Sequence, residues 1–153
     1  MTEIATRRLP SAEAVPLFDA YAAEMRALLH GQAPARAADA AALVAATPAA
    51  TLLGAYAGDV PVGFLLLLEL PEIVFARRCG QIEDLFVLPA HRGRGAARSL
   101  VAAAEAEGRA RAWSHIRWFV PEGDTAAIAL YERIAARTDW RAYILRLEAD
   151  TSL

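Results

Sequence analysis

The sequence predicts an α/β fold with a mixed central β-sheet flanked by helices, and three observations carry that expectation. Strand-like apolar runs alternate with segments of helical period along the chain. Three of the strand-like runs follow one another with no helix between them, and the first two flank a short turn signal, which favours an antiparallel hairpin. The later runs are separated by whole helices, as crossovers within a sheet require. The expected order is β-α-α-β-β-β-α-β-α-β. At 153 residues the chain fits one domain, residues 1–153, able to bury roughly 70% of its unfolded surface.

"EIATRRLP" (3–10) reads as a first strand ended by Pro10. Val15, Phe18, Ala22, Met25 and Leu29 then recur at helical spacing, with Ser11 as N-cap before Glu13. A second, Ala-rich helix over about 35–46 stops before Pro48. "TLLGAYAGDVPVGFLLLLEL" (51–70) is two apolar runs around "AGDVP", a hairpin signal. After a less regular connector (71–79) come the strand "QIEDLFV" (81–87), a long helix from Gly93 to about Ala112 and the strand "HIRWFV" (115–120). A helix over Thr125 to Arg137 leads into a last strand, "WRAYILRL" (140–147).

Composition narrows the function classes. The longest strongly apolar stretch, "GFLLLLEL" (63–70), is far short of the ~20 residues of a spanning helix, and "MTEIATRRLP" lacks the apolar region of a secretory signal. The expectation is a cytoplasmic protein with no membrane partner. A net charge of −2 argues against nucleic acid as a partner. The single cysteine, Cys79, excludes an intramolecular disulfide framework, and the three scattered histidines, His30, His91 and His115, support no metal site. All 16 basic residues are Arg, so chemistry that needs a lysine is absent.

"HRGRGAARSL" (91–100) lies where a strand passes into a helix and concentrates two glycines and three arginines. A dinucleotide fingerprint would need Gly or Ala where Arg98 stands, and a Walker loop would need a lysine. What remains is a tight turn whose glycines clear the way for backbone N–H groups at a helix N-terminus, with Arg92, Arg94 and Arg98 adding charge around an anion such as pyrophosphate.

Arg92-Gly93-Arg94-Gly95-Ala96-Ala97 is similar to the Gln/Arg-x-x-Gly-x-Gly/Ala signature of the GNAT N-acetyltransferase superfamily. The surrounding "IEDLFVLPAHRGRGAARSL" and the downstream "GDTAAIALYERI" (123–134) resemble that family's strand, turn, helix and later tyrosine-bearing helix. The resemblance runs from about residue 51 onward. It implies the GNAT fold, acetyl-CoA as cosubstrate with no metal, and transfer of an acetyl group to a primary amine by direct attack. Residues 92–98 would then hold the pyrophosphate, and the backbone N–H of Phe86 or Val87 would polarise the thioester carbonyl beside a β-bulge that leaves backbone groups free for pantetheine.

Such a transfer needs an acceptor for the amine proton, donors for the oxyanion and an acid for the departing thiolate. Tyr131 matches the family tyrosine and is the candidate acid, although Ala127, Leu130, Tyr131 and Ile134 also make one helical face that would serve as core. "IEDLFV" resembles the polyamine (diamine) acetyltransferase branch, which implies Glu83 as base, directly or through water. Asp84, adjacent on the strand and so expected on the opposite face, is a candidate for binding a cationic acceptor. Asp124 stands where the family commonly has Asn; it either caps the helix or contacts the cofactor. Trp140 is a candidate wall of the acceptor channel, and Glu69 and Glu72 add acidity on neighbouring strands. Alternatives to a polyamine-like or amino-acid-like acceptor are a protein N-terminus, an aminoglycoside-like molecule, or a catalytically inactive acyl-CoA-binding regulatory module. The sequence leaves the oligomeric state open, and a homodimer is consistent with family habit.

Overall fold

The computed structural model describes residues 2–29 and 36–147. Two compact units divide the chain, one of Met1–Tyr21 with Ala35–Phe119 and the other of Ala22–Pro34 with Val120–Leu153. In chain order the elements are β1 (Ile4–Arg8), α1 (Val15–Leu29), α2 (Ala37–Ala45), β2 (Ala50–Ala57), β3 (Val60–Glu72), β4 (Arg77–Val87), α3 (Ala96–Ala110), β5 (Ile116–Trp118) and α4 (Thr125–Ile134).

The five strands of the first unit form one mixed sheet in the order β1-β2-β3-β4-β5. The first four run antiparallel to their neighbours; β5 runs parallel to β4, because α3 carries the chain back between them. Ala57 opposite Val60 makes the expected "AGDVP" signal a two-residue hairpin through Gly58 and Asp59. The connector expected at 71–79 is mostly strand. Glu72 pairs with Arg77, and the Glu72 carboxylate closes the intervening turn by accepting from the N–H groups of Val74 (2.8 Å) and Phe75 (3.0 Å).

Both sheet faces are covered, which explains why β2 and β3 read as continuous apolar runs rather than alternating ones. On one face Leu53, Leu65, Leu67, Ile82 and Val87 pack with Ala96, Leu100 and Ala104 of α3. On the other, Leu52, Phe64 and Phe86 pack with Leu17 and Phe18 of α1 and with Ala37 and Ala41 of α2. The buried residues of α3, Ala96, Leu100, Ala104 and Gly108, recur every fourth position and define its inward face. Side chains at Gly80 and Gly108 would collide with the Trp113 ring, so these glycines make room for it. Trp113 is buried and its Nε1–H donates to Glu69 (2.7 Å), joining the end of α3 to β3.

Several expectations are corrected. Ser11 is not the N-cap: it is the first residue of a short 3-10 turn over Ser11–Ala14, whose N-cap position is Pro10. The fourth helix ends at Ile134 rather than Arg137, and the strand expected at 115–120 is only the three residues of β5. The final strand at 140–147 is not formed: no strand lies in residues 135–147, and Trp140, Tyr143, Ile144, Leu145 and Leu147 are 68% to 93% exposed. Strand propensity describes how a residue fits a pleated surface beside neighbours, and with no strand paired to it the segment has no ladder to join. Residues 30–35, including His30 and the expected start of the second helix, lie outside the described residues.

Candidate active site

The first unit builds its site on the last third of β4. Leu66 pairs with Asp84 but Leu67 with Ile82, so Glu83 is an extra residue in β4, a β-bulge opposite the middle of β3. The bulge switches the faces. Ile82, before it, points into the core beneath α3; Phe86, after it, points into the core beneath α1, although both are even-numbered. Beyond the bulge β4 also loses its partner on the other side, since its parallel pairing with β5 is confined to Gly80–Ile82 with Ile116–Trp118.

This gap exposes specific backbone groups. The N–H of Leu88 donates to the carbonyl of Val62 (2.8 Å), so Leu88 and Phe86 turn their backbone toward β3 and Val87 turns its N–H and C=O the other way. Of the two candidate backbone donors, Val87 is therefore the one directed into the gap. Its carbonyl accepts from Nε of Arg92 (2.9 Å), and the Arg92 guanidinium lies over the Phe86 ring at 5.5 Å. Arg92 thus ties the end of β4 to the turn, a role the sequence does not announce.

The turn itself has the geometry of an anion cradle. Gly93 (φ 78°) and Gly95 (φ 80°) adopt left-handed conformations, and a Cβ at either would meet nothing within 4 Å. Conformation, rather than crowding within the chain, is what requires glycine there. Ser99 makes the first bond of α3, to the Gly95 carbonyl (2.9 Å), and the N–H groups of Gly93 to Arg98 make no backbone hydrogen bond among the described residues. Arg94 and Arg98 are exposed and have no ionic partner among the described residues. Unpaired N–H groups at a helix N-terminus, two side-chain-free positions and two unpaired cations suit a pyrophosphate. Together with the Val87 N–H, they fit acetyl-CoA. His91, expected as a solvated loop residue, is instead half-buried, with Nδ1 buried and lacking a hydrogen-bond partner.

The acidic candidates separate by environment. Glu83 is exposed and accepts from Gln81 Nε2 (2.8 Å). Asp84 is largely withdrawn from solvent and accepts from the Tyr21 hydroxyl (2.7 Å). Burial pushes its carboxyl above the usual range, the Tyr21 hydrogen bond opposes this, and the charge of Glu83 adds to the rise. The bulge also removes the simple alternation on which the opposite-face expectation rested. Glu69 and Glu72 are already engaged, the first with Trp113 and Arg111 (3.6 Å), the second with its own turn. Tyr21 was not singled out by sequence. The available signal was a hydroxyl three residues after Phe18 on an inward-facing helix surface, where a phenol needs a partner.

In the second unit, Asp124 caps α4: its carboxylate accepts from the Ala127 N–H (3.2 Å). Tyr131 lies on the same helix. Its partial burial and, to a lesser extent, the Asp124 charge push its hydroxyl up to about 12. Trp140 is 85% exposed, and no strand places it in a channel wall. Among the described residues no group of His, Cys, Asp or Glu is arranged to hold a metal ion, and no helix is long and apolar enough to cross a membrane.

A mixed sheet opened beside a bulged strand that runs into a glycine-arginine anion turn defines an N-acetyltransferase. The chain belongs to the acetyltransferase (GNAT) family, whose model matches residues 15–136. Among solved structures it is similar to a ribosomal-protein-alanine N-acetyltransferase from Brucella melitensis biovar Abortus 2308 (29% identity, TM-score 0.80, covering 95% of this chain and 99% of that one). An aminoglycoside acetyltransferase from an uncultured soil metagenomic sample (22%, TM-score 0.75, 95% and 99%) and a transcriptional regulator from Bacillus halodurans C-125 (17%, TM-score 0.82, 95% and 100%) share the fold. No curated protein matches the chain.

Proposed function

We propose that this protein transfers the acetyl group of acetyl-CoA to a primary amine of a small molecule, polyamine-like or amino-acid-like, by direct attack. The observation that carries the reading is the continuity of bulge, open strand edge and anion turn over residues 83–98. On this reading residues 93–98 hold the pyrophosphate, Val87 N–H donates to the thioester oxygen, and Tyr131 protonates the leaving thiolate. Bound acetyl-CoA supplies an activated acyl group, and the chain supplies orientation, a fixed donor and proton transfer.

A second acceptor is favoured by one observation. The Brucella structure at 29% identity is named for alanine of a ribosomal protein, which makes the α-amino group of a protein N-terminus the alternative. An inactive acyl-CoA-binding module loses its main support, because Asp124 is engaged in capping α4.

The test incubates the protein with acetyl-CoA and a panel of diamines, free amino acids, aminoglycosides and alanine-initiated peptides, reading free thiol and product mass. Turnover with a diamine or amino acid that exceeds turnover with the peptides is the expected result. Exclusive turnover of the peptides moves the assignment to protein N-termini. Tight acetyl-CoA binding without thiol release above background across the panel overturns an enzymatic function.

A further inference from the structure

We propose that Asp84, rather than Glu83, receives the proton of the acceptor amine, and that Tyr21 is the positioning residue that holds the Asp84 carboxylate for that task. The inference rests on the acetyl-transfer reading above and assigns its missing base.

The bulge decides which face Asp84 occupies. With regular alternation Asp84 would share a face with Ile82, which points into the core beneath α3. The extra residue Glu83 turns Asp84 onto the opposite face with Phe86. There α1 presents Tyr21, whose ring packs edge-on to Phe64 at 5.5 Å and tilted against Phe86 at 5.5 Å. Two aromatic contacts fix the ring, and the fixed ring aims its hydroxyl at Oδ1 of Asp84 (2.7 Å). Oδ2 makes no hydrogen bond among the described residues, which leaves one carboxylate oxygen oriented and able to accept.

Glu83 lacks this support. It is solvent-exposed, and its carboxylate is held by Gln81, a neighbour on its own strand. Reach favours Asp84 as well. Asp84 and Val87 are three residues apart, about 10 Å along a strand, a span that an amine, the acetyl group and one bridging water fill. The ionisable groups that act on the Asp84 carboxyl are Tyr21 from α1, by a hydrogen bond, and Glu83 from β4, by its charge, while β3 pairs Leu66 with Asp84. Burial raises the carboxyl toward the working pH and so makes it a stronger base than a solvated aspartate.

The acceptor ammonium gives one proton to Asp84, and the resulting amine forms the N–C bond to the acetyl carbonyl. As the C–S bond breaks, the thiolate takes a proton from Tyr131, which regains one from the nitrogen. Products are an amide, a free thiol and one proton passed from Asp84 to solvent.

The experiment compares wild type with Asp84→Asn, Glu83→Gln and Tyr21→Phe, using acetyl-CoA and the best amine of the panel, over a range of pH. Acetyl-CoA affinity and circular dichroism serve as the check on folding. Asp84→Asn is expected to lower kcat about 10²-fold or more with acetyl-CoA binding intact, and by at least about tenfold more than Glu83→Gln does. Tyr21→Phe keeps the ring and loses the hydroxyl. It should lower kcat about 5- to 30-fold and move the acidic limb of kcat/KM to higher pH, a shift that a purely packing role would not produce. A larger kcat loss for Glu83→Gln, an Asp84→Asn variant that changes only the KM for the amine, or an unmoved acidic limb in Tyr21→Phe overturns the inference. Should wild type itself acetylate no amine, the acetyl-transfer reading fails instead, and the two failures are distinguished before any variant is made.

Discussion

Tyr131 holds its proton to a pKa of about 12 because partial burial, and after it the Asp124 carboxylate, penalise the phenolate. At neutral pH it is therefore a donor, as an acid for a departing thiolate must be. Tyr131→Phe should lower kcat about 10²-fold with little change in acetyl-CoA affinity, and full turnover in that variant removes the residue from the acid role. The ultraviolet difference titration between wild type and this variant should be centred near 12 rather than 10. Folding favours the neutral phenol, so this contribution to stability is present below pH 10 and is lost as pH rises through 12. Asp84 shows the same direction in a lower window. Its folded carboxyl lies above 3.8, so the native state prefers the protonated form; that benefit is complete in acid and is lost as pH rises through the folded value. Asp84→Asn should consequently raise Tm at neutral pH relative to wild type, with the difference shrinking in acid, while it lowers activity. A carboxylate kept at a cost in stability is what a working base in a desolvated place looks like. An Asp84→Asn protein with a lower Tm at neutral pH would contradict this account.

At the scale of elements, the turn between β4 and α3 can be tested piece by piece. Gly95→Ala places a Cβ in a left-handed conformation at a cost of about 1–2 kcal/mol, and open space around it means that no clash adds to this. The expected outcome is a lower Tm together with a KM for acetyl-CoA raised several-fold. Replacing Arg94 and Arg98 by Ala should leave Tm almost unchanged and make acetyl-CoA binding weaker and less salt-dependent; unchanged binding would show that the anion is held elsewhere. This turn was legible in the sequence because glycine and arginine impose their requirements locally. So was the cap of α4, since Asp124 followed by a helical run satisfies an orphan N–H within three residues. Glu83 was different: a bulge is a property of two strands in register, and nothing within "QIEDLFV" records that Leu66 and Leu67 face Asp84 and Ile82. The Tyr21–Asp84 hydrogen bond spans 63 positions and was hidden for the same reason. "WRAYILRL" misled in the opposite sense, because its composition suits a strand that no partner completes.

At the scale of the whole molecule, the order of elements followed from apolar periodicity, because layers covered on both sides leave long uninterrupted runs such as "GFLLLLEL". The pairing of β4 with β5 stops at Ile82, and the open edge beyond it has a cost outside catalysis. A strand bare along one side is a template on which other chains can add, and proteins ordinarily cover or blunt such edges. On the proposed reading, acetyl-CoA would lie along the bare stretch and act as a removable strand. Ligand at about a hundred times its Kd adds about 2.7 kcal/mol to stability by mass action. Coenzyme A or acetyl-CoA should therefore raise Tm in step with its concentration and slow aggregation on heating, whereas inorganic pyrophosphate, which reaches only the turn, should raise Tm without the same protection. A cell short of acetyl-CoA would then lose this enzyme's activity twice, first for want of acyl groups and afterwards for want of enzyme.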